Sequence, residues 1–532
     1  MLTATKKSQS IIVSGSTFFY KDTIKEIEGR KWDSMTKSWI VPLNGNSLNI
    51  LSFIGAVFCQ ELQLEFGKYH SYDGTISIPL PIKATPYKHQ IAAFNFALNL
   101  FESKKGFALL ADMGTGKTIT AIALMGRLFL DDKCRRVLIA APKSILPVWA
   151  NELNKFADFD YQIYKTPSDA KDSQFDLLSN KNKLNIVILN YESIWRLEKE
   201  FLEYKPDMII ADESSKIKNS TAKQSKALHI LGNMSKYNII LSGTPITNSP
   251  LDIYSQYKFL NNKIFSENWW NFQKKYANFD QNNRIVGFKN IGNLLQRMHE
   301  VAYRVKLTSV VDMPPVVNLL RIVGLNPEQR KLYKELHKGL LHILDQQVSH
   351  DNVLVKLLKL SQFTGGFVTT DSGEVLPSNT AKLDELKNLL DEFADKKIVI
   401  FARFIAEINA ICAILEQKEI KYSLVYGDTA NRQIQVDNFQ NDIETRVFVG
   451  QIATAGMGIT LTAAHTTIYF SLDYSYANYE QSKSRTFRIG QSFPCTYIHL
   501  IVENSIDSKV FSALQNKKDI AKQLVDDFKS FE

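Results

Sequence analysis

Residues 106–118 read GFALLADMGTGKT and run on into ITAIALMGRL. An apolar run ending at Ala111, two glycines two apart, a Lys-Thr pair and then helix-like periodicity are the parts of a phosphate-binding loop set between a buried strand and a helix. Each residue type has a physical reason to be there. Gly114 and Gly116, with Thr115 between them, let the backbone curl so that its N–H groups face phosphate oxygens. Lys117 supplies a cation for the outer phosphates, and the Thr118 hydroxyl can ligate Mg²⁺. The helix that begins here adds the positive end of its dipole. Ala111 stands where such loops usually open with Gly, a departure the rest of the pattern outweighs.

A second stretch, ADESSKIKN at residues 211–219, follows the apolar Met208, Ile209 and Ile210. Adjacent acids after a strand can end a solvated turn or form a metal and water site. A phosphate loop needs an acid at a second strand end to hold Mg²⁺, which selects Asp212 and leaves Glu213 to polarise a water. Far downstream, EQSKSRTFRIGQ (480–491) carries Arg485 and Arg488 three apart, on one face of a helix. A basic helix face is usually just solvated. Supplied from a second lobe, though, these arginines would neutralise γ-phosphate charge, worth roughly 10³–10⁵ in rate in other nucleotide hydrolases. The expected cofactors are ATP and Mg²⁺, and the expected catalytic set is Lys117, Asp212, Glu213, Arg485 and Arg488.

The 532 residues suffice for roughly three or four domains of about 100–200 residues each. Strand candidates at 107–110, 137–141, 186–189, 208–211 and 239–241 alternate with helix-like stretches, and the pattern resumes at 398–401, 423–426, 447–449, 467–470 and 497–501. Short buried strands alternating with helices imply parallel α/β sheets. The expected fold class is α/β, with two RecA-like lobes, a helical insertion between them and a small α+β module in front. The expected boundaries are 1–80 for the module, 81–261 for the first lobe, 262–375 for the insertion and 376–532 for the second lobe. NWWNFQKKY within the insertion reads either as a helical core with exposed lysines or as a base-stacking patch.

A net charge of +9 mildly favours a polyanionic partner. The four cysteines are far apart and unpaired in pattern, which argues against zinc and for a reducing compartment. Neither a signal-peptide h-region nor an apolar run of roughly 20 residues is present in the sequence. These features give the expectation of a soluble, monomeric, cytoplasmic protein (host cytoplasm if viral) with no membrane association.

The motifs together resemble the Swi/Snf-type branch of the superfamily-two helicase-like ATPases, over roughly residues 84–512. PYKHQIAAFNFAL is similar to the adenine-reading motif, which implies Gln90 as the adenine contact. VLIAAPKSILPVWANELNKF and VILNYESI resemble the segments that touch a nucleic-acid strand, and the resemblance implies Lys143, Asn190, Tyr191, Lys218 and Asn219 as DNA contacts. LSGTPITNSPLDIYSQYKFL is close to the family's third motif, which links the ATP site to the strand contacts. GITLTAA followed by RTFRIGQ is the most specific match. Three positions depart from the family: Ser215 replaces a frequent His, Ser242 a commoner Thr, and Thr460 the usual Asn. IKEIEGRKWDSMTKSWIVPL (24–43) resembles the HARP module of annealing helicases, implying that Arg30 and Lys31 face DNA. A compact motor with such a head and no chromatin modules would suit a bacterium or a bacteriophage.

The resemblance implies an ATP-dependent motor that moves on duplex DNA and remodels branches by branch migration, fork regression or strand annealing. A strand-separating helicase acting on RNA or single-stranded DNA would use the same ATP residues. So would a clamp that binds ATP without turning it over.

Overall fold

The computed structural model of the protein describes residues 2–525 except 16, 26, 44–46, 49, 52–53, 55, 60, 63–79, 104–105, 165, 169–182, 339, 344–345, 350–352, 428, 430 and 454–457. The N-terminal sheet contains β1 (Leu2–Lys7), β2 (Ser10–Gly15), β3 (Lys31–Asp33), β4 (Ser38–Pro42) and β5 (Val57–Phe58), in the order β3-β4-β2-β1-β5. Period-two alternation sends Leu2, Ala4, Ile11 and Val13 into one core with Trp39 and Val41. Trp32, on edge strand β3, lies with its ring 5.2 Å from that of Trp39 and stays half-exposed. One tryptophan is therefore core and the other surface. Residues 63–79, which lead up to the expected boundary at residue 80, lie outside the described residues.

The first lobe takes β6 (Gly106–Ala111), β7 (Arg136–Ala141), β8 (Tyr161–Tyr164), β9 (Asn185–Asn190), β10 (Met208–Asp212) and β11 (Tyr237–Ser242). After a hairpin of β12 (Ala277–Phe279) and β13 (Ile285–Phe288), it is completed by β14 (Ala302–Val305). The sheet order is β14-β6-β11-β10-β7-β9-β8, with every pair parallel. Every residue of β6, β9 and β10 is buried, as strands covered by helices on both faces must be.

The second lobe begins with β15 (Val316–Val323). Two hairpins follow, β16 (Leu340–Ile343) with β17 (Gln346–Ser349) and β18 (Phe367–Thr369) with β19 (Val375–Pro377). Then come β20 (Ile398–Ala402), β21 (Tyr422–Val425), β22 (Val447–Gln451), β23 (Thr466–Tyr469) and β24 (Cys495–Val502). This sheet is also parallel, in the order β15-β24-β23-β20-β22-β21.

The segment 262–375 is not the separate helical insertion its sequence suggests. It carries helices such as Trp269–Tyr276, Ile291–His299 and Pro327–Lys338, but β14 joins the first sheet and β15 the second. The first lobe thus extends past residue 261 to at least Val305, and the second starts at Val316, well before residue 376. Neither edge strand announces itself, for physical reasons. β14 reads AYRV, with a cation in the middle, and β15 is an exposed edge where burial enforces no pattern. In Trp269–Tyr276, Phe272 and Tyr276 are core residues, while Trp270 is half-exposed beside the Lys274 ammonium.

The helix Ile506–Val525 bridges the lobes. Lys517 Nζ donates to the Tyr474 carbonyl in the second lobe (2.7 Å) and to Asn248 Oδ1 in the first (3.3 Å). Among the described residues, no helix is long and apolar enough to cross a membrane, and no group of three or more His, Cys, Asp or Glu could hold a metal ion.

Gly106 opens β6 against the end of the helix Ile253–Leu260. A Cβ there would lie 2.7 Å from Leu260 Cβ and 2.8 Å from its carbonyl oxygen, so backbone would have to give way. Gly106→Ala is expected to lower stability by about 1–3 kcal/mol through overpacking. The check is the urea midpoint at constant m-value; an unchanged midpoint would contradict the tight seating of this strand.

Candidate nucleotide site between the two lobes

The carboxyl ends of β6, β11 and β10 lie side by side, the place where parallel sheets receive ligands. From β6 the chain turns through Asp112–Gly116 and enters the helix Lys117–Leu130. Gly114 and Gly116 have φ of +82° and +83°, a left-handed conformation that explains glycine at both. A Cβ on Gly116 would also run into the Gln90 amide.

The loop is braced from within and from behind. Thr115 Oγ1 donates to the Asp112 carbonyl (2.7 Å), and Lys117 Nζ folds back onto the Ala111 carbonyl (3.0 Å). Gln90 is buried, with Nε2 donating to the Thr115 carbonyl (3.2 Å) and Oε1 accepting from the Tyr87 amide (2.9 Å). Asp112 pairs with Arg304 of β14 at 2.7 Å and accepts from the Leu307 amide at 2.9 Å. Thr118 is half-buried, and its hydroxyl makes no hydrogen bond with a described residue.

Asp212 and Glu213 are each only 5% exposed. The Asp212 carboxylate accepts from Trp149 Nε1 and from the Glu213 amide, both at 2.9 Å. Burial, reinforced by the neighbouring Glu213 charge, pushes the Asp212 carboxyl above its ordinary range, while Lys117 and the Trp149 bond oppose the shift. Glu213 holds φ of +50°, unusual for a residue with a Cβ. The hydroxyl of the next residue, Ser214, donates to Gln256 Oε1 (2.7 Å). Gln256 Nε2 in turn donates to the carbonyls of Pro245 and Asp252, each at 2.8 Å. The Asp252 carboxylate accepts from Thr247, whose hydroxyl accepts from Lys218 Nζ (2.6 Å). A chain of polar groups therefore runs from Ser214, next to the acids at the end of β10, to Lys218 at the end of the following short helix.

The second lobe closes the site. Arg488 Cβ lies 3.5 Å from where a Gly114 Cβ would be, and Arg488 Nη1 donates to Thr460 Oγ1 (2.7 Å). Thr460, one of the departures noted in the sequence, thus orients this arginine. Arg485 is 5% exposed, reaches the Ile459 carbonyl and Met113 Sδ, and keeps a buried Nε with no partner. Neither guanidinium has an ion pair with a described residue. Burial and the Arg488 charge pull Arg485 down to about 10, and burial lowers Arg488. Gln481 Nε2 approaches Glu213 Oε2 at 3.5 Å. The donor set of the Thr118 hydroxyl and Asp212 carboxylate, hard oxygens beside a cradle of backbone N–H groups, fits Mg²⁺ accompanying a triphosphate.

On another side a cleft of about 1180 Å³ opens between the lobes. Lys143, Arg196 and Lys216 line it from the first lobe and Arg432 from the second. Of the residues implied as DNA contacts, Lys143 and Asn219 are exposed, and Lys218 is half-buried and engaged with Thr247. Asn190 and Tyr191 line the same cleft but are largely buried, with their polar atoms engaged within the protein. Asn190 Oδ1 caps a helix by accepting from the Ser193 amide (2.7 Å), and the Tyr191 hydroxyl donates to the Asp212 carbonyl (2.6 Å). A motif likeness locates a segment but not the direction of each side chain. Arg30 and Lys31 are exposed on the N-terminal module, with Arg30 Nη1 donating to the Ile27 carbonyl (3.1 Å). Trp149, Gln256, Gln481 and Arg304 were not singled out as site residues; their partners are far away in sequence.

The SNF2-related domain model matches residues 89–365, and the helicase conserved C-terminal domain model matches residues 381–490. An uncharacterized ATP-dependent helicase of Mycoplasma pneumoniae is 28% identical over 450 residues, covering 81% of this chain. The SWI/SNF-related matrix-associated actin-dependent regulator of chromatin subfamily A-like protein 1 of Drosophila melanogaster is 24% identical over 539 residues, covering 98% of this chain. The chain spans 42% and 65% of the length of those two relatives. Among solved structures, the Sulfolobus solfataricus SWI2/SNF2 ATPase core in complex with dsDNA is 23% identical, with a TM-score of 0.41, and covers 86% of this chain and 97% of that one.

Trp149→Phe removes one donor from Asp212 and keeps the ring. It is expected to weaken Mg²⁺-dependent nucleotide binding about 10–100-fold, as loss of a partner to a metal-facing carboxylate does. Titration with a fluorescent ATP analogue in Mg²⁺ and in EDTA checks this; equal loss in both would point to general disruption.

Proposed function

The chain belongs to the SNF2-related family, and from that premise we propose that it is an ATP-dependent motor that translocates on duplex DNA and remodels branched DNA. The observation that carries the reading is the placing of Arg485, buried, and Arg488, half-buried, against a phosphate loop of the other lobe, neither in an ion pair with a described residue. Guanidinium groups drawn out of water without an ion pair are matched by the outer phosphate of a triphosphate.

In this reading the N–H groups of Gly114–Thr118 and Lys117 Nζ bind the phosphates, and Gln90 borders the loop on the base side. Thr118 and Asp212 would hold Mg²⁺, which when bound neutralises phosphate charge. Glu213 orients the attacking water, with Gln481 fixing its carboxylate. Arg485 and Arg488 meet the charge that develops as the terminal bond breaks. Lobe closure is then needed for chemistry, and loss of the terminal phosphate loosens it.

DNA lies in the cleft between the lobes, against Lys143, Lys216, Arg196 and Arg432, so contacts are to phosphates and sequence preference is weak. The polar chain from Ser214 through Gln256 to Thr247 and Lys218 supports communication between Glu213 and Lys218, one of the residues expected to contact DNA. The N-terminal module, residues 1 to about 80, is the branch-recognising part, with Arg30, Lys31 and the exposed Trp32 on one hairpin. The likeness to the Drosophila relative extends over 98% of the chain and so through that sheet.

Steady-state ATP hydrolysis without nucleic acid and with single-stranded, duplex, four-way and RNA ligands tests the proposal. Duplex or four-way DNA is expected to stimulate most; stimulation by RNA or single strands alone would replace it with a strand-separating helicase. Lys117→Ala is expected to abolish turnover while leaving DNA binding intact.

Gln256→Leu keeps volume and removes the polar link. It is expected to leave DNA-free turnover and DNA affinity near wild type and to reduce stimulation by DNA about tenfold. Unaltered stimulation would show that the chain of hydrogen bonds does not carry the coupling.

A further inference from the structure

A cavity of about 490 Å³ lies behind the phosphate loop, at the joint where the chain passes from β14 to β15. Nothing in the hydrolytic scheme above uses it. We propose that it is the exit vestibule for inorganic phosphate, an inference that rests on the hydrolytic reading of the adjoining site.

Position is the first argument. The cavity meets the reacting region at two points. Gly243 lines it, and a Cβ on Gly243 would be 3.8 Å from both Lys117 Nζ and Met113 Cγ. Gln481 also lines it while reaching Glu213 Oε2 at 3.5 Å. Phosphate cut from a nucleotide held on the loop by Lys117 is therefore separated from the cavity by a glycine and a thioether. The Met113 side chain forms the partition between the lobes, its Sδ accepting from Ser484 Oγ (2.8 Å) and facing Arg485 Nη2. Met is unbranched and adapts readily, so a small shift of one lobe opens the passage.

The lining chemistry is the second argument. Charged groups on the wall are Asp112 with Arg304 (2.7 Å), Glu480 with Lys483 (3.5 Å), and Lys518, which has no ion pair with a described residue. Two carboxylates are balanced by two cations, and one ammonium is left over. The Thr244 hydroxyl is buried on the same wall with no hydrogen-bond partner among the described residues. An anion with several acceptor oxygens satisfies both groups. The remaining wall mixes apolar groups such as Val316 and Phe487 with neutral polar ones such as Asn318 and Ser484 and adds no further cation, so it holds no anion tightly, as suits transit. Release by this path would let phosphate leave while ADP still covers the loop.

Two variants outside the hydrolytic set test it: Thr308→Trp, an exposed position at the rim, narrows the cavity, and Lys518→Glu reverses its spare charge. Single-turnover reactions with duplex DNA are followed by acid quench for cleavage and by a fluorescent phosphate-binding reporter for release. The expected result is wild-type cleavage with release delayed about tenfold in each variant. Release that keeps pace with cleavage in both variants would overturn the vestibule and leave the hydrolytic reading standing. Absence of cleavage in the wild-type protein would overturn the hydrolytic reading and the vestibule with it.

Discussion

Arg485 is buried and Arg488 half-buried at a lobe boundary, neither in an ion pair with a described residue, and removing a guanidinium from water is costly unless a partner replaces the lost hydration. The chain supplies only partial substitutes, the Ile459 carbonyl, the Thr460 hydroxyl and the Met113 sulfur. An anionic ligand at the phosphate loop completes what they lack. The same constraint sets the architecture. Two parallel sheets must present their carboxyl ends to one another, and the loop between β14 and β15 must be short enough to hold them there. The helix Ile506–Val525 closes the joint from outside through Lys517.

Local conformation follows from this arrangement. Left-handed backbone at Gly114 and Gly116 turns N–H groups toward the cradle, and the same region of φ at Glu213 aims an acid at it. Strained backbone at a non-glycine residue persists only when its surroundings over-determine it. Here Trp149 and the Tyr191 hydroxyl fix Asp212 on one side, and Ser214 with Gln256 fixes the following turn on the other. Tyr191 thus serves the nucleotide side of the molecule, from a segment that resembles a strand-contacting motif.

Much of this was legible in the sequence, because parallel strands buried on both faces read as short apolar runs and the phosphate loop has strict residue demands. Ten strands of the two lobes fall where those runs predict. β8, β14 and β15 were missed because Arg304 interrupts β14 and partial exposure frees the edge strands β8 and β15 from an apolar pattern. The internal hydrogen bonds of Asn190 and Tyr191 could not be foreseen, because a segment's likeness says nothing of how each side chain is engaged. Trp149 and Gln256 could not be paired with their targets from sequence, since 63 and 42 residues separate the partners. Such pairs exist only once the sheet order brings β10 between β7 and β11.

The most direct test of a shared site is ATP hydrolysis at saturating duplex DNA by Arg488→Ala, with ATP binding measured on the same sample. The account predicts turnover lowered by about 10³-fold, within the range for loss of an arginine that neutralises a transferring phosphate, and nucleotide affinity changed little. Turnover near that of the wild-type chain, in Arg488→Ala and in the matching Arg485→Ala, would mean that the second lobe contributes no charge to the reaction, and the two-lobe site would have to be abandoned.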